Sequence, residues 1–101
     1  MFGNMLGDME KRQKELRQKL SGITLTEEAP GGALKVEVNA VREITNISIN
    51  KDLLDPEDPE QLEDLLLITL NRALVKAAEK EAEESQNLLK DMLPPGMDGL
   101  F

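Results

Sequence analysis

The sequence predicts an α+β fold in the order helix, three-stranded antiparallel sheet, long helix (α-β-β-β-α), assembled as a homodimer. Three observations predict it. Apolar residues recur every three or four positions over 2–21 and over 59–92, the spacing of one helix face. Between them, three short runs alternate apolar and polar residues, as strands with one buried face do. The second helical stretch is also too long and too leucine-rich for the small sheet the middle of the chain can form.

The elements follow in chain order. In the first helix (1–22) the apolar positions are Phe2, Met5, Leu6, Met9, Leu16 and Leu20, with polar Gln13 in the seam, and Ser21-Gly22 as the stop. The Met residues read as core filler rather than as a ligand site. The sheet (23–50) is built from Ile23–Thr26, Leu34–Asn39 and Ile47–Asn50. Pro30-Gly31-Gly32 forms the first turn and Asn39–Glu43 the second, giving an antiparallel meander. Residues 51–58 are an acidic connector. Asp58 then caps a helix over 59–92, with Pro59 as its first residue and Gln61 as the partner in a capping box. Paired prolines and two glycines end helical structure in a tail over 93–101. All of this fits one domain, 1–101.

The long helix carries two apolar patterns. Leu62, Leu65, Leu66, Thr69, Leu70, Ala73, Leu74 and Ala77 make a broad face suited to a sheet. Beyond them, Val75, Ala78, Ala82, Ser85, Leu89 and Met92 follow a three-four heptad seam. About 34 helical residues span ~50 Å, whereas strands of five or six residues span only ~17–20 Å. The far half therefore overhangs the sheet, and the first helix is the partner expected for its seam. The leucine-rich near half exceeds what one small sheet covers, which implies a second copy joined through the sheet or the leucine face.

Composition narrows the chemistry. The chain is 40% hydrophobic and 32% charged, a composition that folds rather than stays disordered. Without Cys or His it has no disulfide, no Cys- or His-based zinc site and no Ser-His or Cys-His pair. No Gly-rich phosphate loop is present, so no enzyme, cofactor or small-molecule substrate is expected. Asp52, Asp55, Glu57, Asp58 and Glu60 lack the glycine and spacing of a calcium loop, and they read as a helix start rather than a metal site. No apolar run is long enough to span a membrane and the first residues do not form a signal peptide. A cytoplasmic protein is expected.

Several short stretches, taken in order and spacing, resemble the YbaB/EbfC family of bacterial nucleoid-associated proteins. These are Met1-Phe2-Gly3, Gly32–Asn39, Ile47-Ser48-Ile49 before Leu53-Leu54, Leu62–Leu65 followed by Asn71 and Ala73, and Pro94-Pro95-Gly96 before Phe101. The resemblance implies an α-β-β-β-α protomer and a dimer whose sheets meet at the centre while the helices project as two arms. It also implies duplex DNA as the partner and a role in nucleoid organisation or gene regulation. Two turns depart from the family pattern: Asn39-Ala40 stands where Asn-Gly is common, and Asn50-Lys51 where Asp-Pro is common. Both alter turn chemistry and leave the fold unchanged.

Charge decides where DNA could bind. The 20 acidic and 12 basic residues leave a net charge of −8, which opposes a polyanion. Only residues 1–22 are net positive, with five cations against three acids. Lys11, Arg12, Lys14, Arg17 and Lys19 are thus the candidate phosphate contacts. Three of them have an acid four residues upstream (Asp8, Glu10, Glu15), the arrangement of an ordinary solvated helix face. The five also spread around the helix rather than along one stripe. Arg72, Lys76 and Lys80 do form a stripe, but Glu79 and Glu83 beside it point to structural support. With no aromatic available for base stacking except Phe2 and Phe101, binding would run through the phosphate backbone with little sequence preference. The competing expectation is an acidic dimer that clamps a partner protein, with 93–101 as a docking peptide.

Overall fold

A computed structural model of the protein describes residues 2–92, with side chains from Leu6 onward. Met1, the side chains of Phe2 and Met5, and the 93–101 tail with Phe101 lie outside the described residues. Helix α1 (Phe2–Ser21) leads into strands β1 (Thr24–Glu28), β2 (Leu34–Asn39) and β3 (Ile44–Ile49). A single 3-10 turn (Lys51–Leu53) and helix α2 (Pro59–Met92) follow. The sheet is antiparallel in the order β1-β2-β3. The molecule is a rod of 65 × 27 × 16 Å, of which the 34 residues of α2 span ~50 Å.

The core lies between β2 and α2. Leu34, Val36 and Val38 alternate along β2 and are buried, packed with Ala29, Ala73 and Ala77. The small side chains of Ala73 and Ala77 let α2 approach the central strand closely, and Leu65, Leu66, Leu70 and Leu74 close around them. Lys76 fastens α2 to β1: its ammonium donates to the Thr26 carbonyl at 2.7 Å and meets the Glu27 carboxylate at 3.2 Å. Arg42 reaches from the β2–β3 turn to Glu81 at 3.5 Å. The supporting role read for Lys76 in the basic stripe is therefore what the structure gives it.

The turns show why their sequences are as they are. Gly31 and Gly32 have φ of +87° and +79°, the left-handed region that side chains resist, and the Gly32 amide donates to the Ala29 carbonyl. In the second turn the buried Asn39 side chain makes three hydrogen bonds. Its oxygen accepts from the Val41 and Glu43 amides, and its nitrogen donates to the Glu43 carboxylate. Arg42, not residue 40, takes the left-handed conformation, at φ 65°. This explains how alanine is accommodated after Asn39.

Three local expectations are corrected. Strand β1 runs on through Glu27 and Glu28, because these residues pair with Val36 and Lys35. Strand β3 begins at Ile44, three residues earlier than the alternation suggests. A bulge opposite Glu37 and Val38 leaves Thr45 as an extra residue, which breaks the period of two before Ile47. At the α2 start, Asp58 caps by accepting the Gln61 amide at 3.3 Å, but the Gln61 side chain accepts from Asp55 rather than Asp58. The Asp58 amide is already engaged by the Asp55 carbonyl.

Candidate nucleic-acid interface

Beyond the sheet, α1 and the far half of α2 lie side by side as an arm. Leu20 is buried at the root of α1, where its carbonyl accepts the amides of Ile23 and Ala40 and so ties the helix end to the sheet. Leu16 is half-buried one turn earlier, while Leu6 and Met9 are exposed. The apolar stripe of α1 is thus covered only near the sheet.

Beside Leu20, at the root of the arm, the junction is also ionic. Lys19 donates to the Glu84 Oε2 at 2.7 Å, and Lys80 lies 3.5 Å from the other Glu84 oxygen and 3.6 Å from Glu83. Glu84 is buried. The hydrogen bond from Lys19 holds its carboxyl below the ordinary glutamate value, against burial, which acts the other way. The same hydrogen bond, together with the Glu84 charge, raises Lys19. An isolated carboxylate in this position would be costly, and two cations from two helices make it a fastener.

The structure divides the five candidate cations into two groups. Lys19 turns to α2 and is held there. Arg12 lines the groove between the helices, together with Asp8 and Asp91. Lys14 and Arg17 lie on the opposite, outward side of α1, and Lys11 stands at its edge. These three are exposed and occur every third residue, so each step retreats about 60° around the helix and the set covers one side of it. The local acid-base pairs read from four-residue spacing are not made: among the described residues Lys19 pairs with Glu84 rather than Glu15, and neither Arg12 nor Lys14 has an ion-pair partner. Cross-helix geometry won over local spacing. A carboxylate at 84 meeting a lysine at 19 leaves no periodic trace, which is why sequence reasoning kept Lys19 with the others.

A second expectation is overturned. The heptad seam of α2 does not face α1 except at its end, where Met92 lines a groove with Met9 and Arg12. The groove between the helices is lined on the α2 side by Glu84, Asn87, Leu88 and Asp91. Val75, Ala78, Ala82, Leu89 and Met92 are exposed and Ser85 is half-buried. Because the α1 junction is a salt bridge rather than a knobs-into-holes seam, its position is not set by apolar spacing.

Comparison with known proteins accords with this architecture. The chain is 38% identical to a nucleoid-associated protein of Pelotomaculum thermopropionicum, over 96% of its own length and 98% of that protein. It is 36% identical to a nucleoid-associated protein of Flavobacterium johnsoniae over 96% and 94%, and 40% identical to one from Clostridium novyi over 95% and 87%. The crystal structure of the uncharacterized protein HP0035 from Helicobacter pylori superposes with a TM-score of 0.76 at 27% identity, covering 87% of this chain and 92% of that one. The sequence profile of the YbaB/EbfC DNA-binding family matches residues 1–92. The chain belongs to the YbaB/EbfC DNA-binding family.

Proposed function

We propose that the protein is a non-enzymatic, nucleoid-associated protein that binds duplex DNA as a homodimer, with little sequence preference. Membership of a DNA-binding family carries this reading. The outward set Lys11, Lys14 and Arg17 supports it, since it offers three exposed cations on the one segment of the chain with net positive charge. Lys19 and Arg12 serve the arm itself, one in the ionic junction and the other in the groove. A role on bacterial DNA within the cytoplasm follows from the same reading. Among the described residues no helix is long and apolar enough to cross a membrane.

The dimer rests on β3. Helix α2 packs mainly over β1 and β2 and leaves the core-facing side of β3 partly exposed. Ile47 and Ile49 pair with the buried Val36 and Leu34, yet are 41% and 48% exposed. Ile44 and Leu67 are exposed as well. An edge strand with three partly exposed isoleucines on one face and an unpaired backbone edge is the kind of surface that pairs with another chain. A second copy applied to it covers both faces by symmetry and doubles the cations available to one duplex. The protein clamp has no observation in its favour, since its docking peptide falls outside the described residues.

The test is a gel-shift titration of duplex DNA against salt. Binding should weaken steeply as salt rises. Replacing Lys11, Lys14 and Arg17 by Ala should abolish it while the dimer survives in sedimentation. No binding by the wild-type protein at low salt rejects the proposal.

A further inference from the structure

From Val75 to Leu89 the seam of α2 packs against neither the sheet core nor α1 and has no role in the architecture described so far; Met92, at its end, lines a groove with Met9 and Arg12 of α1. Val75, Ala78, Ala82, Ser85, Leu89 and Met92 keep strict three-four spacing, and the spacing runs back through Asn71 to the exposed Ile68. Val75 is 57% and Leu89 51% exposed. Over these four heptads the helix presents a line ~37 Å long with no cation in it, so a nucleic acid does not fit. Small residues at its centre admit another helix at close range, as in ridge-into-groove packing.

We propose that this seam is a second self-association surface, on which α2 of another copy lies antiparallel, joining dimers built through β3. Charge selects the occupant and its direction. Arg72 and Glu79 flank one side of the seam seven residues apart, and neither has an ion pair among the described residues. An antiparallel copy centred between Val75 and Ala78 sets each Arg72 against the other copy's Glu79, twice over. A parallel copy sets them against Leu67 and Leu74, where neither charge is answered. The seam holds Asn, Ala and Ser among its apolar residues, so the association is weak and depends on concentration. It strengthens where several dimers occupy one duplex.

The experiment needs no DNA, so its outcome is separate from that of the DNA reading. Sedimentation of the wild-type chain from micromolar to near-millimolar concentration should show dimers passing to tetramers. Val75→Glu with Ala82→Glu, at exposed positions, should stop at the dimer with an unchanged circular dichroism melt. Arg72→Glu and Glu79→Arg should each lose the tetramer, and their combination should restore it. The chain has no cysteine, so Val75→Cys mixed with Ala78→Cys should form a disulfide across copies faster than Val75→Cys does alone. A wild-type chain that stays dimeric throughout overturns the proposal. So does a double swap that fails to restore the tetramer, or faster self-coupling of Val75→Cys. If the β3 interface were absent, the same variants would abolish a monomer–dimer step that Ile47→Asp leaves intact.

Discussion

Lys19 in α1 and Glu84 in α2, 65 residues apart in the chain, meet at 2.7 Å, and Glu84 is buried while it does so. This contact joins the two helices of the arm beside the half-buried Leu16 and Leu88. Its pH dependence follows from the two shifts. Glu84 is depressed, so its contribution is complete above the ordinary glutamate value and is lost as pH falls through the lower folded value. Lys19 is raised, so its contribution is complete below the ordinary lysine value and is lost as pH climbs through the higher folded one. Across the neutral range the pair is intact. Glu84→Gln should lower the melting temperature at pH 7, and the gap to wild type should close as pH falls below the glutamate range. Urea unfolding of both proteins at a series of pH values measures that gap. A gap that stays constant down to the acid limit contradicts the assignment.

The same contact sets Lys19 apart from the outward cations Lys11, Lys14 and Arg17 that the proposed function assigns to DNA. Each phosphate contact contributes ~0.9 to the slope of log affinity against log salt. Lys14→Ala should therefore flatten the slope by about one unit per protomer in contact. Lys19→Ala should leave the slope unchanged and lower only the melting temperature. Equal slopes for the two variants would count against the division of α1 into an outward face and a junction face.

Thr69 sits under the sheet with 1% of its surface exposed, and its hydroxyl has no hydrogen-bond partner. Thr69→Val replaces that hydroxyl by a methyl of the same branching. The variant should be more stable by about 1 kcal/mol, since a buried unpaired polar group costs ~1–3 kcal/mol. Two turns on, Ala77 has no exposed surface. Ala77→Leu should destabilise by roughly 1–3 kcal/mol, through overpacking against β2. Denaturant melts of the two variants should move in opposite directions.

Ile47 is exposed on a strand whose cross-strand neighbour, Val36, is fully buried. Ile47→Asp should convert the dimer to a monomer at micromolar concentration and weaken DNA binding with it, because the cations are then presented on one arm alone. Light scattering and the salt titration test both parts. A dimer that survives Ile47→Asp would move the interface elsewhere.

Local chemistry alone determined much of this protein. The bounds of both helices, the Asp58 cap, the turns at Pro30–Gly32 and Asn39–Glu43, and the central strand with its buried Leu34, Val36 and Val38 were all legible. Each depends on periodicity or turn chemistry carried within a few neighbouring residues. Only the tertiary structure decided the rest. A bulge that no local signal announces hid the start of β3 and the exposed Ile44. Packing of α2 mainly over β1 and β2 left the β3 isoleucines partly exposed. Lys19 pairs with the distant Glu84 rather than with Glu15, and α1 sets the Lys19 side toward α2 and Lys14 and Arg17 outward. Ion pairs between distant residues follow no period. The sequence could offer five cations and one seam, and the packing of two helices determined what each of them faces.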